Sequence, residues 1–125
     1  MNVRIRSCEM SPTLAQSEFI RRRIEYALDV SRAEIEQIDV WIIGIEREGE
    51  RRNYCKIDVA LGNGNLVSTD GTETDFHLAV HRAADRAGWE VARDLGREYR
   101  QRVGTPLRPA EQSRNPNRFE LAEAV

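Results

Sequence analysis

Val3 and Ile5 alternate with Arg4 and Arg6, so the chain opens on a short strand with one apolar face. Ser11-Pro12 then marks a helix start, with serine as cap and proline at the first helical position. Ile20, Ile24, Ala27 and Leu28 recur at helical spacing and predict a first helix from Pro12 to Val30. Ile38 to Ile45 reads as a strand that is apolar on both faces of the pleat, followed by a polar loop from Glu46 to Asn53. Cys55, Ile57, Val59 and Leu61 alternate with Lys56, Asp58 and Ala60, the pattern of a half-buried strand. Gly62-Asn63-Gly64-Asn65 is a turn, Leu66 to Thr69 a return strand, and Asp70-Gly71 its close. Thr72 or Thr74 is placed to cap a second helix. Phe76, Val80, Ala83, Ala84, Ala87, Val91 and Leu95 form its core stripe at the helical period, to Tyr99 or beyond. Gly88 and Gly96 lie inside that helix and weaken it.

The order is therefore β-α-β-β-β-α. The first two strands are joined by a helix and can run parallel, whereas the other strand joins are hairpins. This gives an α+β two-layer sandwich, a four-stranded sheet with both helices on one face and the other face open. The domain spans 1–103. From Gly104 the character changes, because Pro106, Pro109 and Pro116 stand among Arg, Asn and Gln. Residues 104–125 read as a disordered tail, which Phe119 and Leu121 could dock against the domain.

Composition refines this picture in two ways. The charged fraction is 32%, above the usual quarter or so, on a 40% hydrophobic interior. Net charge is −2, which argues against strong non-specific nucleic-acid binding while leaving room for a local basic patch. Lys56 is the only lysine, so the cations are arginines, suited to bidentate contacts with phosphate or carboxylate. Cys8 and Cys55 fall in strand patterns and read as reduced, buried small hydrophobes. No secretion signal or membrane-length apolar run is present in this sequence, so the expected location is the cytoplasm.

Catalytic groupings are sparse. His77, His81 and Asp85 recur every four residues on the second helix, a row that could hold a divalent metal. Leu78 stands where a zinc-protease motif needs glutamate, and a surface pairing of His81 with Asp85 explains the row as well. Cys55 has no base near it in sequence. The expectation is no enzyme, no metal, no cofactor and no small-molecule substrate.

The outer face of the second helix is more informative. At about 100° per residue, Arg82, Arg86, Arg93, Arg97 and Arg100 fall within a sector of about 60° opposite the core stripe, with Trp89 at its edge. Such a line fits a phosphate backbone, and Trp89 could stack on a base or ribose. The competing reading is a solvated face laced with ion pairs, such as Glu90–Arg93. Over 72–103, six arginines meet six acids. Arg21-Arg22-Arg23 fans around the first helix, with Arg22 pointing away from the core. If the helices lie side by side, Arg22 and Arg23 widen the same surface.

The doubly apolar second strand raises another question. If Val40 and Ile42 face the helices, then Trp41, Ile43 and Ile45 face outward, with Tyr54 across the hairpin. An exposed apolar patch of this kind marks an interface. Homodimerisation through the open sheet face is its simplest use, and the tail folding back over it is the alternative.

The order and spacing of several short stretches resemble the bacterial hibernation-promoting factor and ribosome-associated inhibitor family, in its short form. These stretches are Ser17-Glu18-Phe19-Ile20 with Ile24 and Ala27-Leu28, and Glu36-Gln37-Ile38-Asp39-Val40. Thr69-Asp70-Gly71 followed by Asp75-Phe76, and Asp85-Arg86-Ala87, complete the set. The resemblance covers 2–103. It implies a double-stranded-RNA-binding-domain-like fold and docking in the decoding region of the small ribosomal subunit, against 16S rRNA. It also implies translational silencing under stress without a cofactor. Arg22 and Arg23 on the first helix, and Arg82, Arg86 and Arg93 on the second, match the family's basic positions in character. The alternative is a protein-interaction module of the same fold that dimerises and does not bind the ribosome.

Overall fold

The computed structural model describes residues 2–7 and 11–103. Cys8, and the expected tail from Gly104 with Phe119 and Leu121, lie outside the described residues. The elements are β1 (Val3–Ser7), α1 (Leu14–Leu28), a 3-10 turn (Asp29–Glu34), β2 (Ile35–Arg47), β3 (Glu50–Leu61), β4 (Leu66–Glu73) and α2 (Phe76–Val103). The sheet order is β1-β2-β3-β4. β1 pairs parallel with β2, through the α1 crossover, and the other pairs are antiparallel. The fold is thus α+β, as the hydrophobic pattern predicts. The chain divides after Arg93 into two units, and the end of α2 (94–103) is described by itself. Among the described residues no helix is long and apolar enough to cross a membrane.

Pairing register assigns each residue to a face. Ile38 stands beside Val59 and Val40 beside Ile57, and all four are sealed from solvent. Ile20, Ile24 and Leu28 of α1 and Val80, Ala83, Ala87 and Val91 of α2 close over them. Two glycines let the layers approach. A Cβ on Gly71 of β4 would meet the Ala79 carbonyl oxygen at 2.8 Å, so α2 lies directly on that strand. A Cβ on Gly88 would meet the Ala27 carbonyl oxygen at 2.7 Å, so the two helix backbones nearly touch there. Gly88, which reads from sequence as a weak point of α2, is therefore the contact that lets α1 and α2 share one face of the sheet.

Several boundaries differ from the sequence expectation. Thr13, not Ser11, caps α1: its Oγ1 accepts from Gln16 N at 3.0 Å, and Gln16 Oε1 accepts from Thr13 N at 2.9 Å. This reciprocal pair satisfies two otherwise orphan donors. Asp75, not Thr72 or Thr74, caps α2, its Oδ2 accepting from Leu78 N at 2.9 Å. The expected polar loop from Glu46 to Asn53 is instead a continuation of both strands. They are joined by a two-residue turn in which Glu48 (φ 55°) and Gly49 (φ 77°) are both left-handed. Positive φ at both central positions is the turn whose twist matches a hairpin. β2 also begins at Ile35 and β4 runs on to Glu73, past the expected end at Thr69.

Candidate nucleic-acid interface

α1 and α2 meet along a polar seam above the core. Arg23 turns into it, and its side chain is only 15% exposed. Its Nε donates to His81 Nδ1 at 2.7 Å, and its Nη2 pairs with Asp85. Phe19 packs edge-on against His77 and His81, with ring centroids 4.5 and 5.4 Å away. The histidine row is thereby absorbed into helix–helix packing: His81 spends a ring nitrogen on Arg23, and Asp85 is its counter-charge. Among the described residues no three of His, Cys, Asp or Glu gather to hold a metal. Arg23, expected beside Arg22 on the surface, is a structural cation of this seam.

Arg22, one residue away, is exposed and has no ion-pair or hydrogen-bond partner among the described residues. Arg21 is exposed too, but its Nη1 donates to the Val3 carbonyl at 2.9 Å, tying α1 to β1.

The α2 arginines lie on the outside of the helix, each with an acid beside it. Arg82 Nε is 2.5 Å from Glu73 of β4. Arg86 Nη1 donates to the Asp70 carbonyl at 2.8 Å and stands 3.6 Å from the Asp70 carboxylate. Arg93 reaches Glu90 at 3.5 Å and lies 5.9 Å from the centroid of Trp89, which is 50% exposed. In the second unit Arg97 pairs with Asp94 at 3.6 Å. The side chain of Arg100 is outside what the structure describes. The spacing Glu90–Arg93 was visible in sequence. The partners on β4 were not, because only the fold brings Glu73 and Asp70 against α2. All four pairs are solvent-exposed on the arginine side, so each holds its arginine weakly, and a guanidinium with five donors keeps some free.

On the opposite side, the open sheet face presents Trp41, Ile43 and Ile45 from β2 and Tyr54 from β3, all half-buried. Arg6 of β1 covers the Trp41 ring at 5.2 Å. Tyr54 Oη lies 3.2 Å from Asp70 Oδ2, and partial burial together with that carboxylate pushes the phenol pKa up. An open groove of about 490 Å³ runs between Ile45, Glu48, Arg52, Tyr54 and Thr72. Charged neighbours that the sequence reading passed over complete the face: Arg4 donates to Asp39 at 2.9 Å, and Lys56 lies 3.8 Å from Asp58. Their signal was the plain alternation of β1 and β3, whose polar positions must all share one side. Cys55 faces the other way, into the core, and burial pushes its thiol up to about 12, so it is not a nucleophile at neutral pH.

No family model and no curated protein matches the chain. Solved structures do. A ribosomal subunit interface protein from Coxiella burnetii superposes with a TM-score of 0.66 at 14% identity, over 77% of this chain and 99% of that one. The N-terminal domain of Protein Y from Thermus thermophilus superposes with a TM-score of 0.54 at 19% identity, over 74% and 98%. The chain shares their fold. The architecture expected from the family resemblance is the one found.

Proposed function

We propose that this chain is a ribosome-associated factor, not an enzyme. It acts in the cytoplasm, docks in the decoding region of the small subunit against 16S rRNA, and silences translation under stress. The observation that supports it most is the superposition on nearly the whole of a protein named as a ribosomal subunit interface protein. The helix side supplies suitable chemistry: Arg22, Arg82, Arg86 and Arg93 as phosphate contacts and Trp89 as a stacking platform. The ion pairs refine how that surface works. Arg82, Arg86 and Arg93 must share their donors between a carboxylate and a phosphate, so each adds less than a free cation would. Among the described residues Arg22 has no such competitor, and it contributes the most per residue.

Co-sedimentation with purified small subunits in a salt series tests this reading. Arg82→Glu with Arg86→Glu is expected to abolish co-sedimentation at low salt, and Arg22→Glu alone to weaken it about tenfold, on the scale of a lost charge-assisted contact. Arg22 is exposed and makes no ion pair or hydrogen bond among the described residues, so unfolding is not the expected source of its effect. The salt slope is expected to be shallow, about −3 for the four arginine–phosphate contacts. Unchanged co-sedimentation of both variants would refute the assigned surface.

A further inference from the structure

The outer face of the sheet has a pattern of charge that repeats its own complement. Pairing register lines its side chains into rows across the four strands. One row reads Arg6, Trp41, Lys56, Asp70 from β1 to β4. The next reads Ile43, Tyr54, Thr72 on β2 to β4, beyond the end of β1. Cations stand at one edge of the sheet and an acid at the other, with an aromatic ring and a lysine in mirrored places between them.

We propose that this face docks a second copy of the chain, about a two-fold axis parallel to the strands. Such an axis reverses each row while keeping its height. Arg6 then faces Asp70 of the second copy, each adding this contact to long, exposed pairings within its own chain (Arg6 3.7 Å from Asp39, Asp70 3.6 Å from Arg86), and Trp41 faces its Lys56. Ile43 faces its Tyr54. Every contact occurs twice, as an isologous interface requires. The two rows together therefore supply two ion pairs, two cation–π contacts and two apolar contacts. The other in-plane axis, across the strands, stacks β1 on β1 and β4 on β4. The β1 arginines of the two copies, Arg4 and Arg6, would then be brought together whichever row the axis passes through, so charge selects the first axis.

The third row sets the limit of the contact. It reads Arg4, Asp39, Asp58, Ser68, and its reversal sets Asp39 against Asp58. Both acids are already held within their own chain, Asp39 by Arg4 and Asp58 by Ser68 at 2.7 Å. The two sheets accordingly touch at the Trp41 end and splay toward Asp39, as twisted sheets crossing at about −30° do. Four strands about 4.8 Å apart and two or three rows about 7 Å apart make a small footprint, so the dimer is weak and self-association is expected only from micromolar concentration upward. The inference does not rest on ribosome binding, which uses the helix side.

Sedimentation equilibrium of the full chain at low salt, from about 10 μM to about 1 mM, reads the mass directly. The expected result is a rise toward twice the monomer mass, reversed by salt. Arg6→Asp alone places like charges at both ends of the row, and so does Asp70→Arg alone. Each variant is expected to lose at least tenfold in association. An equimolar mixture of the two variants restores it, because each copy then supplies the charge the other lacks at both contacts. A misfolded variant cannot produce that rescue. Should Asp70→Arg fail to fold, having lost its Tyr54 and Arg86 contacts, Ile43→Arg is the second probe and is expected to be monomeric throughout. A wild-type chain that stays monomeric to 1 mM overturns the proposal. So does a folded pair of charge variants whose mixture does not associate, or an Ile43→Arg chain that dimerises like wild type.

Discussion

On the helix side of β2, Ile38, Val40 and Ile42 are sealed beneath two helices. On the open side Trp41, Ile43 and Ile45 keep part of their surface in water, and charged neighbours lean over them. The residue types are nearly the same, and their consequences are not. A buried side chain stabilises the fold in proportion to the area removed from water and the contacts made around it. A half-covered one has spent only part of that energy and keeps the rest for whatever docks next. Hydrophobicity read along the strand cannot separate the two; the register against β3 and the placement of the helices can.

Three tests, using four substitutions, break or sharpen this contrast. The largest effect is expected from Ile57→Ala, on the sealed side, at about 2–5 kcal/mol in urea denaturation, against under about 1 kcal/mol for Ile43→Ala on the open side. Comparable losses at the two positions would erase the distinction. Gly88→Ala comes next. Helix propensity alone would gain about 1 kcal/mol, but the added methyl meets a backbone carbonyl that cannot swing away, and overpacking of this kind costs about 1–3 kcal/mol. A net loss of about 1 kcal/mol in thermal or urea unfolding is expected, and a stabilised variant would show that α1 and α2 do not meet so closely. The smallest effect belongs to the open face. The Arg4 hydrogen bond holds the Asp39 carboxyl below its ordinary value, with burial partly opposing. Its contribution is therefore present above pH about 4 and lost as pH falls through the lowered folded value. Asp39→Asn should flatten the acid limb of the stability profile by no more than about 1 kcal/mol, read as urea midpoints between pH 5 and 2. An acid limb identical to wild type would mean the pair contributes nothing.

The fold was largely legible because two periods carry it: alternation through Cys55 to Leu61, and the 3.6-residue stripe of α2. What was missed lay where neither period operates. The hairpin between Glu46 and Asn53 is exposed at most of its described positions, so neither of its faces need be apolar, and Glu48-Gly49 is a weaker turn signal than Asn-Gly. The caps were readable in principle. Thr13 has Gln16 three residues on, and Ser11 has no such partner. The site was less legible for a different reason. That Arg22 and Arg23 separate, one into water and one into the seam with His81 and Asp85, depends on the roll of α1 against α2. That Arg82 and Arg86 are matched by Glu73 and Asp70 depends on β4 lying under α2. Both are facts of tertiary placement between residues distant in sequence or on different elements.

β4 is an edge strand, and an edge offers free backbone groups to any other strand that drifts past. The hydrogen bond from Arg86 to the Asp70 carbonyl occupies one of those groups, midway along the strand, with a bulky cation. Arg86 thus also blocks that edge against strand addition. A variant that loses this side chain would be expected to aggregate more readily on storage, even where its folded state is as stable as before.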